Sequence, residues 1–407
     1  MHVTLTTAKV AMSFGMALAV VSATGAAAAG AAQPVATTAS SWSQTDYNAA
    51  QSRANLAERT LTRSTVSKIV FLRSVTAPPL PVNGCGQGVA APVLTGGSLY
   101  AVTSGYLTKY NPATGRITWR RNPDPSFLTF YTSLAVAGGL VVVGGVGCDS
   151  VSDPNGFIQA FDAATGALVW SQGNPDGGAL AQLVVSNGFV VAAGTSAGGG
   201  EPVFVLRLTD GALVWHRLTS PCLSGDVLVD AQVVIAYSCT EAGGERLVGS
   251  KLATGARLWS RSGSWQLQRG DTDTTAGRHV FATSPGGTVV SLNPLTGQTQ
   301  YSLAQATDVL AVGGPQVYAS CGLGVCAYST ATGSLRWQAQ LGLTVALAAA
   351  AGGVLYTDWG FALDAGNGQT LATLWQDNPA TWLAVGGGRI AVVTGPRVVD
   401  LYGLPGS

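Results

Sequence analysis

The chain has 407 residues, only 10% of them charged, with 54 glycines and a formal net charge of +1. A soluble domain usually carries about 25% charged residues, and no long Lys/Arg run is present, so composition argues against nucleic acid or an anionic membrane surface as a partner. Low charge with much Gly, Val, Thr and Ala also argues against a helical architecture and for short strands joined by tight turns.

The chain opens as an export signal. Lys9 supplies a weak positive end, Val10 to Val21 an apolar core, and Ala26 to Ala32 a small-residue run with cleavage after Ala32 as the expectation. Residues 1–32 are therefore read as a signal peptide, with an uncleaved anchor as the alternative. The first cysteine is Cys85, so a lipid anchor through cysteine is not expected. No later stretch reads as a membrane span, because the apolar run Val345 to Leu355 is short and broken by Gly352-Gly353. Residues 33–64 form an N-terminal leader, and two readings stay open: a flexible segment, or one packed on the domain that spans 65–407.

From there a repeat dominates. A β-rich run leads to a polar turn ending in Gly, followed after three residues by an aromatic. It appears as Asn111 to Gly115 with Trp119, and as Asp162 to Gly166 with Trp170. Further copies centre on Gly211 with Trp215, Gly255 with Trp259, Gly297 with Tyr301, and Gly333 with Trp337. Asp364 to Gly368 keeps the turn but has Ala372 in the aromatic position. The seven turn glycines lie 51, 45, 44, 42, 36 and 35 residues apart by subtraction. A period near 40 with four strands per unit is the signature of a β-propeller. The Asp or Asn can accept turn N–H bonds, Gly supplies a positive φ, and the aromatic fills the wedge between blades.

The strands of each unit are named A to D from the inside outward, with the Thr-Gly turn between C and D. The last unit, Trp382 to Leu404, supplies three strands. The unassigned β-rich run Lys68 to Val75 is expected to complete it and remove the open edge. The fold expected is all-β: an eight-bladed propeller, with seven blades as the alternative. All six cysteines fall on the face that carries the B–C and D–A connections. The pairs expected in an oxidising compartment are Cys321–Cys326, Cys222–Cys239 and Cys85–Cys148.

These residues resemble the PQQ-like (pyrroloquinoline-quinone-like) propeller family, which includes quinoprotein dehydrogenases and the propeller subunit of the outer-membrane assembly machinery. The Asp-x-x-Thr-Gly-x-x-x-Trp phrase looks like that family's tryptophan-docking motif. Trp42 to Ala50, and Asn55 to Leu61 with Val66, are similar to its N-terminal lead-in. The resemblance covers Trp42 to the C-terminus. For the enzymes it implies PQQ in the central funnel, held by a vicinal disulfide, an aromatic floor and Ca²⁺ on carboxylate and amide oxygens. This chain has no Cys-Cys pair and few glutamates: Glu58, Glu201, Glu241 and Glu245.

Other chemistry is thinly represented. His216 and His279 lack partners at metal-ligand spacing and read as partly exposed strand residues. No His-Glu-x-x-His motif is present, no Gly-x-Ser-x-Gly elbow stands out, and the Gly-rich stretch Ser196 to Gly200 reads as a flexible B–C loop. Asp271 and Asp273 are weak candidate Ca²⁺ ligands, with a solvated turn as the alternative. The Arg269-Gly270-Asp271 tripeptide is read as chance. Trp265, Trp359 and Asp358 are candidate partner contacts on the loop face. The function expected is that of a secreted, non-catalytic, monomeric scaffold for a protein or cell-envelope component, with no resident cofactor. The alternatives are a PQQ/Ca-dependent dehydrogenase or a remnant of one, and a carbohydrate- or polymer-binding module.

Overall fold

The computed structural model describes residues 40–77, 89–103, 105–122, 129–147, 156–175, 177–194, 203–217, 226–239, 244–271, 278–376 and 378–406. These form eight antiparallel sheets of four blade strands each, and the seventh carries one short extra strand. The blades follow one another in chain order. Blade 1 runs Ala90–Thr95, Ser98–Thr103, Tyr106–Tyr110 and Ile117–Arg121. Blade 8 takes A, B and C strands from Trp382–Gly386, Arg389–Gly395 and Val398–Gly403. Its outer strand is Val70–Thr76, antiparallel to Val398–Gly403. The expected closure by the N-terminal strand and the eight-blade count are both found.

The seams show why the repeat reads as it does. In all seven turns the glycine N–H donates to the carbonyl four residues earlier, from Gly115 to Asn111 at 2.8 Å through Gly368 to Asp364 at 2.8 Å. The glycines hold φ near +70°, the left-handed region where a side chain is strained. Asp162 Oδ1 accepts from Thr165 N and Oγ1, both at 2.7 Å, and fixes its turn.

Each turn glycine also leaves room for the preceding blade's aromatic. A Cβ on Gly211 would lie 2.6 Å from the Trp170 ring, and one on Gly297 would lie 2.6 Å from Trp259. The rings tie the seams by hydrogen bonds as well. Trp119, Trp170, Trp215, Trp259 and Trp337 donate Nε1–H to carbonyls of the next blade at 2.7 to 3.3 Å. Tyr301 donates its hydroxyl to Thr330 O in the same way. At the closing seam Arg73 lies against Gly115 instead of an aromatic. Between sheets the core is aliphatic, with Val142, Ile158, Val190 and Phe204 fully buried where blades 2 and 3 meet.

Cys321 and Cys326 form a disulfide across the short B–C hairpin of blade 6, with Cα atoms 5.8 Å apart. Cys239 is also disulfide-bonded. Cys85, Cys148 and Cys222 lie outside the described residues, as do residues 1–32 of the expected signal.

Candidate functional site

A propeller's inner strands surround a channel, and here the protein's own chain crosses it. Segment Ser40 to Glu58 bonds to the inner strand or A–B turn of every blade. Ser40 O accepts from Gly387 N of blade 8 at 2.8 Å. Trp42 exchanges two bonds with Leu94 of blade 1, at 2.7 and 3.0 Å. Thr45 N and Ser43 O engage Leu134 and Val136 of blade 2. The Gln44 amide acts as a peptide, donating to Val185 O at 3.1 Å and accepting from Val185 N at 2.9 Å in blade 3. Ala49, Ala50, Ser52 and Arg53 carbonyls then accept from Val229, Gly270, Val312 and Ala350, on blades 4 to 7 in turn, at 2.7 to 2.9 Å. Ala54–Asn55 pairs in parallel with Ala350–Ala351, and Asn55 Nδ2 reaches Val385 O of blade 8 at 2.8 Å.

From Ser40 onward the leader is packed against the inner strands of the ring. Glu58 anchors its exit. The side chain is buried, and its oxygens accept from Arg59, Thr60, Leu61 and Gly388 N–H groups and from the Ser40 hydroxyl. Burial pushes its carboxyl up, but those donors outweigh burial and hold it below the ordinary glutamate value.

A chamber lies on each side of the segment. The one toward the A–B turns has a volume of about 450 Å³ and is lined by Gln44, Asn48, Asp230, Gln232 and Arg278 among others. Asp230 is nearly sealed, and burial is the main cause that pushes its carboxyl up to about 7. Asp271 adds to that rise and Arg278, 3.9 Å away, opposes it. The second chamber, toward the loop face, has a volume of about 350 Å³. Asp46, Gln51 and Arg53 of the segment line it together with Gln182, Gln268 and Arg269.

Asp46 binds both arginines, with Oδ1 2.5 Å from Arg53 Nε and Oδ2 3.2 Å from Arg269 Nη1. Burial raises the Asp46 carboxyl, but the two guanidinium groups bring it below the ordinary aspartate value. Burial and the nearby Arg53 lower Arg269 to about 10, so it stays charged at neutral pH.

The sequence candidates fall elsewhere. Trp265 is 5% exposed; its Nε1–H donates to Ser262 O and Arg261 lies over its ring at 4.4 Å, so it is a core residue rather than a surface contact. Asp358 is also buried, at 3% exposure, because it accepts from Ala346 N and Trp359 N and ties two connections of blade 7 together. Trp359 is half-buried and donates to Thr344 O. Asp271 ends the A strand of blade 5, buried and opposite His279 rather than in a solvated turn, and Asp273 lies outside the described residues. His216 is exposed, but His279 is buried, with Nδ1 2.9 Å from Ser291 Oγ and 2.8 Å from Gln300 Oε1. Sequence reasoning missed Asp46, Arg53 and Arg269 as a group. The usable signal was Arg269, a charge inside an inner strand of a chain poor in charge.

The donor set does not suit a planar quinone with Ca²⁺. Among the described residues no aromatic lines the loop-side chamber, and both oxygens of its buried carboxylate, Asp46, are held by arginines. Among the described residues no three His, Cys, Asp or Glu side chains converge as metal ligands.

Eight blades, docked at six seams through an aromatic on a turn glycine and closed by an N-terminal strand, define a PQQ-like β-propeller. The family model described as outer membrane protein assembly factor BamB matches residues 39–221 and 154–359, and the chain belongs to that family. BamB from Moraxella catarrhalis is 18% identical, with a TM-score of 0.57, over 82% of this chain and 99% of that one. Quinohemoprotein alcohol dehydrogenase from Comamonas testosteroni is 14% identical, with a TM-score of 0.63, over 90% of this chain and 81% of that one. A europium-containing methanol dehydrogenase is 12% identical, with a TM-score of 0.65, over 90% and 98%. At these identities the likeness is one of fold. No curated protein matches the sequence.

Proposed function

We propose that the protein is an exported, non-catalytic scaffold that holds another protein or a component of the cell envelope. The observation that carries this reading is the threaded segment. Its bonds to all eight blades close the channel at the A–B end of the inner strands, and among the described residues the loop-side chamber left beside it offers no aromatic floor for a quinone. What remains is a rigid ring whose loops converge on one face, an arrangement suited to display and docking. Among the described residues no helix is long and apolar enough to cross a membrane. The family's name attaches an assembly role to a relative, in line with a protein partner for this chain. The expected signal peptide and disulfides support a role outside the cytoplasm.

Cross-linking the protein in its own envelope and identifying what it holds tests the reading. A reproducible envelope partner supports it. Saturable binding of PQQ with Ca²⁺, followed by tryptophan fluorescence and joined to dye-linked alcohol oxidation, would overturn it.

A further inference from the structure

The loop-side chamber carries charge that the ring does not consume. Arg53 spends only Nε, on Asp46. Arg269 gives Nη1 to Asp46 and Gln51 O, and Nε to Val309 O. No protein acceptor among the described residues reaches either terminal nitrogen of Arg53 or Nη2 of Arg269. None of these three nitrogens is sealed from solvent, although the two side chains are only 12% and 11% exposed. Asp46 is the one carboxylate in direct contact with the two buried guanidinium groups, Asp226 acts on Arg269 from a distance, and several N–H groups still face the cavity. Buried charge is costly without a partner, and a guanidinium fork matches a carboxylate.

The chamber also has an acidic side. Asp226 and Asp308 stand at the start of the inner strands of blades 4 and 6, on either side of the blade 5 strand that carries Arg269. Both are exposed and line the same cavity. A simple anion would meet these two carboxylates, and a simple cation would meet the two arginines. A ligand with a carboxylate at one end and an ammonium at the other suits both. The remaining polar lining is amide, from Gln51, Gln182 and Gln268. Two of these amides already brace neighbouring strands, with Gln182 Oε1 accepting from Val227 N and Gln268 Oε1 from Val309 N.

The backbone is strained at this spot. Asp46, Tyr47, Gln51 and Arg53 hold φ of 56°, 83°, 56° and 49°. Such residues persist where surrounding contacts over-determine them, commonly at preorganised sites. Three of the four line the chamber.

We propose that this chamber binds a free α-amino acid, its carboxylate on Arg53 and Arg269 and its ammonium toward Asp226 and Asp308. A volume of about 350 Å³ admits a molecule of that size. The proposal goes beyond the scaffold reading and does not rest on it.

Isothermal titration calorimetry of the full-length exported protein tests it. The probes are the twenty common amino acids one at a time, acetate and ethylammonium as half-ligands, and PQQ. At least one amino acid should bind one-to-one with a Kd below about 1 mM, with each half-ligand at least tenfold weaker. Arg53→Gln should weaken that binding at least tenfold. Because Arg53 also pairs with Asp46, a second variant guards against misfolding. Asp226→Asn with Asp308→Asn changes only exposed groups, and should weaken the amino acid at least tenfold without altering the acetate response. Heat from none of the twenty, binding unchanged in both variants, or saturable binding of PQQ alone would overturn the proposal.

Discussion

The ring is held together in two places by two different devices. At the outer seams one part is used again and again: a turn glycine with positive φ, and an aromatic ring laid on it from the blade before. At the centre a single thread, Ser40 to Glu58, bonds to every blade, and by several different means. Gln44 uses its side-chain amide, Ala49 its carbonyl, and Ala54–Asn55 a short parallel pairing. The seam device is local and repeats. The thread is non-local and is used once. A seam can therefore fail alone, whereas the thread fails as a unit.

Trp170→Ala gives the largest effect on this account. The ring is 8% exposed and its Nε1–H donates to Leu208 O at 2.8 Å. Its removal is expected to cost about 3–5 kcal/mol in denaturant unfolding. Combined with Trp337→Ala, at a separate seam, the losses should add within about 0.5 kcal/mol. A large coupling between those two seams would break the modular half of the comparison.

The thread-side acid pair should show itself through pH. Asp230 has its folded value raised to about 7, against about 3.9 in an unfolded chain. Between those values the folded protein keeps a proton that the unfolded chain has lost. Stability linked to this group therefore falls as pH rises from about 4 to 7, by a few kcal/mol at most. Melting curves of Asp230→Asn should lose that slope and gain stability at neutral pH. A slope unchanged in the variant would contradict the assignment.

Glu58→Gln leaves several buried donors with a weaker acceptor and is expected to cost about 1–3 kcal/mol. Unlike the paired tryptophans, it should couple to Gln44→Ala in a double-mutant cycle, because both hold one thread. Tyr301→Phe gives the smallest effect. It keeps the ring on Gly333 and loses the bond to Thr330 O together with a long contact to His279 Nδ1, so about 1 kcal/mol is expected.

The same division explains what the sequence revealed. The seams were legible because their chemistry is local: a Gly four residues before a Trp needs no knowledge of the rest of the chain. Blade number and closure followed from counting those phrases and noticing an orphan strand. The thread was half-legible, as a segment without a repeat partner, but its path depends on bonds between residues up to 347 positions apart. The chamber was not legible, because Asp46, Arg53 and Arg269 are brought together by that path. Trp265 and Asp358 misled for a related reason. A Trp or Asp in a connecting segment reads as exposed, yet here each satisfies backbone groups that the loop would otherwise bury unpaired.

Hydrogen–deuterium exchange across the thread tests the central claim most directly. If Ser40 to Glu58 is bonded to all eight blades, the thread amides that donate to a carbonyl, among them Trp42, Thr45, Gln51 and Arg53, should exchange as slowly as those of the inner strand Ala348–Ala351. Exchange of those thread amides within seconds, while the blades stay protected, would mean that the channel is open. The scaffold reading and the amino-acid chamber built on the thread would then both fall.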